Sequence, residues 1–252
     1  MSKSNRLFII LGGFFVANAL MAEFIGTKIF SLERTFGANP VTWSFFGVGE
    51  LSFQLTAGVL LWPVVFIMTD IINEYYGKRG VRLLSFLAVG LISYAFVMVF
   101  LAIHLAPADW WPASATENGV PDLQLAYQQV FGQGLWIIVG SLVAFLIGQF
   151  VDVTIFQRIK RITGEKKVWL RATGSTLVSQ FIDSYVVLFI AFYVGAGWPL
   201  QQVLAIGLMN YLYKFAAAVL LTPVIYGGHA LIDRYLGADD AARMKAEAMG
   251  LN

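Results

Sequence analysis

Cysteine is absent from the 252 residues, which excludes disulfides, thiolate nucleophiles and thiolate metal sites. Charge is scarce: Asp, Glu, Lys and Arg make up 13% of the chain, against about 25% in ordinary soluble domains. A formal net charge of +2 leaves no cationic excess for binding nucleic acid. There are two histidines, His104 and His229, expected at membrane interfaces at opposite ends of the chain's membrane map. They supply neither a metal-binding pair nor a Ser-His nucleophile. No glycine-rich loop ends in Gly-Lys-Ser or Gly-Lys-Thr, so the chain lacks the phosphate cradle needed to hydrolyse a nucleotide itself. No catalytic residue, metal or cofactor is expected.

What is present is hydrocarbon. Hydrophobic residues make up 58% of the chain, and the mean hydropathy is +0.72. Apolar stretches near 7–30, 51–72, 83–105, 134–156, 173–197 and 200–226 are each long enough, at about 1.5 Å per residue, to cross a hydrocarbon core of roughly 30 Å. The first is too long for the core of a cleavable signal and carries Glu23 and Lys28, so it reads as a membrane helix. The expectation is an all-α, polytopic membrane protein: one domain, 1–252, with six transmembrane helices. Three helices followed by three would set the two halves in opposite orientation, the plan of inverted-repeat transporters.

Basic residues set the orientation. Lys3 and Arg6 precede helix 1. Lys78, Arg79 and Arg82 lie between helices 2 and 3; Arg158, Lys160, Arg161, Lys166, Lys167 and Arg171 lie between helices 4 and 5; Arg234, Arg243 and Lys245 follow helix 6. The opposite loops hold Arg34 alone, so the positive-inside rule puts both termini in the cytoplasm. Asp109-Trp110-Trp111-Pro112 and Trp198 read as outer interface anchors. Residues 36–50 form an apolar, Gly-rich outer loop expected to dip into or cap the outer mouth without spanning. Pro63 is expected to kink helix 2, and the tail 238–250 to form a short surface helix.

Polar groups inside hydrocarbon cost several kcal/mol unless paired or wetted, so they mark sites. Helix 1 carries Asn18, Glu23 and Lys28, helix 5 carries Ser179, and three pairs join them: Gln149 and Asp152 on helix 4, Gln180 and Asp183 on helix 5, and Asn210 and Lys214 on helix 6. These pairs are spaced three or four apart and share helical faces. Asp183 and Asn210 fall near the midplane, Gln149, Asp152 and Lys214 nearer the cytoplasm, and Glu23 nearer the outside, so together they line a substrate path. In the competing reading these groups bind one another, with Lys214 neutralising Asp152 or Asp183. Acids outnumber Lys214, which calls for a proton, a cation or several donor hydrogens. Asp70, Asn73 and Glu74, at the cytoplasmic end of helix 2, read as a gate or coupling site, or as anchors for the basic loop.

The segment SFQLTAGVLLWPVVFIMTDIINEYYGKRG, from Ser52, with its Ala-Gly, Pro and Thr-Asp-x-x-Asn-Glu-x-Tyr-Gly elements, resembles the queuosine precursor transporter family, also called the vitamin uptake transporter family. QFVDVTIFQRIKRITG, from Gln149, and WLRATGSTLVSQFIDS, from Trp169, agree in order and surroundings. The resemblance implies a multi-pass inner-membrane importer of 7-cyano-7-deazaguanine and 7-aminomethyl-7-deazaguanine, similar in fold to the substrate-binding subunits of energy-coupling-factor transporters. The alternative is a capture subunit for a purine-like or vitamin-like solute that needs a separate energising ATPase. Membrane lipid is the surrounding partner, and a homo-oligomer or an energising module is compatible with either reading. A deazaguanine offers N–H donors to a carboxylate, Asp183 or Asp152, and a carbonyl to an amide or amine, Gln149, Gln180, Asn210 or Lys214, while an aromatic side chain stacks on its face.

Overall fold

The computed structural model describes residues 1–164 and 167–249; Lys166, one of the expected inner cations, lies outside the described residues. Among the described residues, five helices are long and apolar enough to cross a membrane.

Helix α1, Lys3–Ile25, starts where the Ser2 hydroxyl accepts from the Asn5 amide at 3.2 Å. Its buried face runs Leu7, Leu11, Phe15, Ala19 and Ala22, the three- and four-residue spacing of one helical stripe, and packs on α3. The outer face carries Ile9, Ile10, Phe14 and Met21, all exposed. A helix apolar on every side is buried in protein on one and in lipid on the other.

The chain then leaves helical geometry for about 35 residues. Strand β1 (Ile29–Ser31) pairs antiparallel with β4 (Gln54–Thr56), and β2 (Trp43–Phe45) with β3 (Val48–Leu51), with the four-residue helix α2 (Leu32–Thr35) between β1 and β2. Phe46 and Gly47, both at positive φ, make the β2–β3 turn. Two positive-φ residues are what a two-residue hairpin matching strand twist requires. Helix 2 was expected over 51–72, but its first half holds the end of β3, strand β4 and a 3₁₀ turn, Ala57–Leu60.

Helix α3, Trp62–Ile103, contains both expected helices 2 and 3. Pro63 sits in its first turn and does not kink it, because there the missing N–H has no helical partner to lose. The break comes at Gly77, with φ 62° and ψ −167°, a region open essentially to glycine alone. The arm 62–76 is about 22 Å long at the helical rise, short of a full hydrocarbon crossing. A Cβ on Gly77 would also lie 2.9 Å from the Ala248 carbonyl of the C-terminal helix. Gly77→Ala is therefore expected to lower the thermal midpoint by several degrees and reduce folded yield, since backbone strain alone costs about 1–3 kcal/mol. An unchanged midpoint in a fluorescence melt would show that the break is set elsewhere.

Beyond α3, the short helix α4 (Leu123–Phe131) is capped by Asp122, whose Oδ1 accepts from the Leu125 amide. Helices α5 (Leu135–Thr163), α6 (Val168–Leu188) and α7 (Leu200–Leu236) complete the bundle, and α8 (Ala238–Met249) folds back on α3, α5 and α7. The tail is helical as expected, with Ala241 and Met244 buried. The last turns of α6 widen into a π-helix, Phe189–Val194, opposite Gly140 of α5. A Cβ at Gly140 would meet the Val187 carbonyl at 3.1 Å, so glycine lets these helices approach closely.

Candidate functional site

A cavity of about 450 Å³ opens between α1, α5, α6 and α7, roofed by Thr27 and Ile29 near β1 and by Thr56 of β4. Its size is that of a small-molecule site. Of the residues singled out from sequence, Glu23, Asp183, Asn210 and Lys214 line it. Glu23 is 7% exposed; its Oε2 accepts from the Ser141 hydroxyl at 3.1 Å, while its Oε1 has no hydrogen-bond donor among the described residues. The Gln133 side-chain amide donates to the Glu23 carbonyl at 2.9 Å and fixes the end of α1. Across the cavity the Lys214 ammonium pairs with Asp183 Oδ2 at 2.5 Å, with both side chains partly exposed. Trp62 and Phe145, with ring centroids 5.6 Å apart, and Phe192 of the π-helix supply aromatic walls.

Below lies a smaller chamber of about 30 Å³, lined by Asp70, Thr173, Thr176, Gln180, Tyr213 and Lys214 among others. Val59, Trp62 and Lys214 face both spaces and form the partition. Asp70, on its wall, and Asp152 are both fully buried. The Thr176 hydroxyl lies 3.4 Å from Asp70 Oδ2 and 3.4 Å from Asp152 Oδ1, and Ser179 donates to Asp152 Oδ1 at 3.1 Å. Gln149 does not reach the cavity; its Oε1 accepts from Thr69 at 3.0 Å. Gln149 and Asp152 sit two and three turns further along α5 than the cavity residue Ser141. Asn18 likewise stays out of the cavity, its amide donating to the Phe14 carbonyl of its own helix at 2.8 Å.

The expected gate divides into separate contacts. Asn73 Oδ1 accepts from Gln157 at 2.7 Å. Glu74 is bridged by Lys160 at 3.1 Å and Arg171 at 2.8 Å, with all three side chains essentially sealed from solvent. The anchoring reading of Glu74 therefore describes the observed geometry. These residues were expected at an interface, but α8 covers that end of the bundle: Lys160 also donates to the Lys245 carbonyl, and Lys245 pairs with Asp233. His229, expected at an interface too, is buried beside Tyr75.

Ser141, Gln133, Trp62 and Thr176 escaped the sequence reading. Ser141 continues the Gln149–Asp152 stripe two turns back through Phe145, and Thr176 extends the Gln180–Asp183 stripe, so the periodicity was available. Hydroxyls are weak signals because in helices they so often bond to their own backbone, as Ser141 also does with the Ile138 carbonyl.

A bundle whose outer surface is hydrocarbon and whose interior holds a cavity with convergent polar groups has the build of a multi-pass membrane transporter. The chain belongs to the queuosine precursor transporter family: the model of the family described as "Putative vitamin uptake transporter" matches residues 56–228. It is 33% identical over 184 residues to the "Probable queuosine precursor transporter" of Bacillus subtilis (strain 168), covering 71% of this chain and 75% of the relative. It is 26% identical over 184 residues to the "Queuosine precursor transporter" of Escherichia coli (strain K12), covering 71% and 75%. A Haemophilus influenzae relative, also named "Probable queuosine precursor transporter", is 25% identical over 182 residues, covering 71% and 69%. No solved structure matches the chain. The family is one of transporters, not enzymes.

Proposed function

We propose that this chain is a single-domain, inner-membrane importer of the queuosine precursors 7-cyano-7-deazaguanine and 7-aminomethyl-7-deazaguanine, the substrate class in its relatives' names. In this reading the first arm of α3, lengthened by the 3₁₀ turn before it, and the second arm count as separate crossings, giving six, with both termini in the cytoplasm. The meeting of Glu74 with Lys160 and Arg171, and of Gly77 with Ala248, at one end of the bundle supports that topology, because all four elements carry the inner basic residues.

The observation that carries the substrate reading is Glu23: a carboxylate lining a ligand-sized cavity with one oxygen free of donors. A guanine-type edge presents two adjacent N–H donors that such a carboxylate accepts, while Asn210, Lys214 or Gln133 donates to the ring carbonyl and Trp62 or Phe192 covers the ring. Asp183 acts here through Lys214, and Asp152 lies below the bound base rather than on it. Purified protein in liposomes is expected to take up both deazaguanines without any added ATPase, and to leave adenine outside, because adenine sets an acceptor where Glu23 needs a donor. Equal uptake of adenine would end the reading. Uptake only after addition of an ATPase module would favour the capture-subunit alternative.

A further inference from the structure

Two carboxyl groups, Asp70 on the wall of the small chamber and Asp152 joined to it through Thr176, have more acceptors than the surroundings have hydrogens. Asp70 and Asp152 bring four oxygens. The Thr176 hydroxyl lies at hydrogen-bond distance from one oxygen of each, but it has a single proton and satisfies only one of them as a donor. Ser179 and Ser175 also face Asp152, but Ser179 bonds to the Thr176 carbonyl at 3.0 Å and Ser175 to the Ala172 carbonyl at 3.1 Å, so their protons are shared too. Asp70 Oδ1 and Asp152 Oδ2 have no donor among the described residues. The deficit narrows if one carboxyl carries a hydrogen: it donates to Thr176, which donates onward to the other, so the Thr176 hydroxyl serves both groups at once.

The cations nearby are committed elsewhere. From α3 itself, Glu74 is a like charge one turn below, held by Lys160 of α5 and Arg171 of α6. From α7, Lys214 borders the chamber but binds Asp183 of α6, and Tyr213 is neutral. Glu23 of α1 lies in the large cavity beyond the partition.

The chamber points to how the hydrogen arrives. Gln180, 3% exposed, lines it together with Asp70 and Thr176, and its Nε2 has no acceptor among the described residues. A space of about 30 Å³ with Asp70, Thr173, Thr176 and Gln180 on its walls fits one water and not a hydrated metal ion. Lys214 borders both this space and the large cavity above, so a water in the chamber would stand between Asp70 and Lys214.

We infer that Asp70 and Asp152 form a proton-binding site that couples proton entry to import. The pair takes up one proton reached from the substrate cavity through the chamber and Lys214. It holds that proton as an O–H shared across Thr176 and releases it to the cytoplasm when the bundle opens inward, so each cycle with a neutral base carries one positive charge inward. The inference rests on the transporter reading for its coupling half, whereas the proton-binding half stands on the carboxyl pair alone.

Two measurements test it. Infrared difference spectra of ligand-free purified protein near neutral pH are expected to show a protonated carboxylic acid carbonyl that is missing from the Asp70→Asn, Asp152→Asn double variant. Spectra that agree in this region overturn the shared proton. In proteoliposomes, an inward gradient of one pH unit is expected to drive about tenfold accumulation of labelled 7-cyano-7-deazaguanine at one proton per molecule, with substrate-triggered acidification read by an internal dye. Asp152→Asn alone, and Asp70→Asn alone, are expected to lose accumulation yet still exchange labelled for unlabelled base. Asp70→Glu is expected to restore part of the accumulation. Accumulation driven by sodium instead of protons, or Asn variants that accumulate like wild type, overturn the coupling role. Wild type that moves no deazaguanine at all overturns the substrate reading, and the infrared comparison still decides the proton site.

Discussion

Glu23→Gln is expected to weaken deazaguanine binding by about a hundredfold or more and to bring uptake near background. A hydrogen bond to a charged group contributes about 1.5–3 kcal/mol, and leaving a buried donor unsatisfied costs about 1–3 kcal/mol more. Glutamine keeps one carbonyl oxygen, so the bond from Ser141 at 3.1 Å survives and the fold has little reason to suffer. It then turns an amino group toward the ligand's own N–H groups. Glu23→Asp keeps the charge on a shorter stem and is expected to bind more weakly than wild type but better than the glutamine variant. Calorimetry on purified variants, with uptake at matched membrane abundance, checks both. Unchanged affinity in Glu23→Gln would remove this residue from the binding site.

The Asp183–Lys214 pair is expected to separate scaffold from function. Lys214→Met leaves the Asp183 carboxylate without its cation in a partly enclosed cavity. Breaking a buried pair on one side costs about 3–5 kcal/mol; here both side chains retain about 16–17% exposure, so the lower end applies. Loss of folded protein and loss of uptake are expected together. Asp183→Asn combined with Lys214→Met removes both charges and is expected to return folded yield to near wild type, because nothing is left unpaired. Uptake is expected to stay at background, since Lys214 faces the substrate cavity, the partition and the chamber beside Asp70 at once. Recovery of transport by the double variant would make the pair a scaffold element only.

The contrast between Pro63 and Gly77 shows how far local rules reach. Proline inside an apolar run suggests a kink, but whether it breaks a helix depends on where the helix starts, and the start was hidden. Residues 51–60 are as apolar as a membrane helix yet form strands and a 3₁₀ turn. Hydropathy over a short run does not separate strand from helix, and here the antiparallel pairing of β4 with β1, from Ile29↔Thr56 to Ser31↔Gln54, decides the matter. Gly77 sits inside an otherwise continuous helix, and only the folded chain, through its φ of 62° and the approach of α8 at Ala248, exposes the need for glycine there.

Residence in the membrane, the helical period of the polar stripes and the scarcity of partners for their charges were determined by the sequence alone, because each depends on residue type and local spacing. Helical period places Gln149 with Asp152, and Asn210 with Lys214, on shared faces whatever surrounds them. Which stripes meet, and at what depth, was decided only by tertiary structure. Glu23 joins Ser141 across 118 residues, Asp70 joins Asp152 through Thr176, and Glu74 joins Lys160 and Arg171. Each meeting depends on the rotation of a helix about its axis and its shift along that axis. Both are set by packing against neighbours, at close approaches such as Gly140 with Val187 and Ala191, and neither is encoded in the period of a single helix.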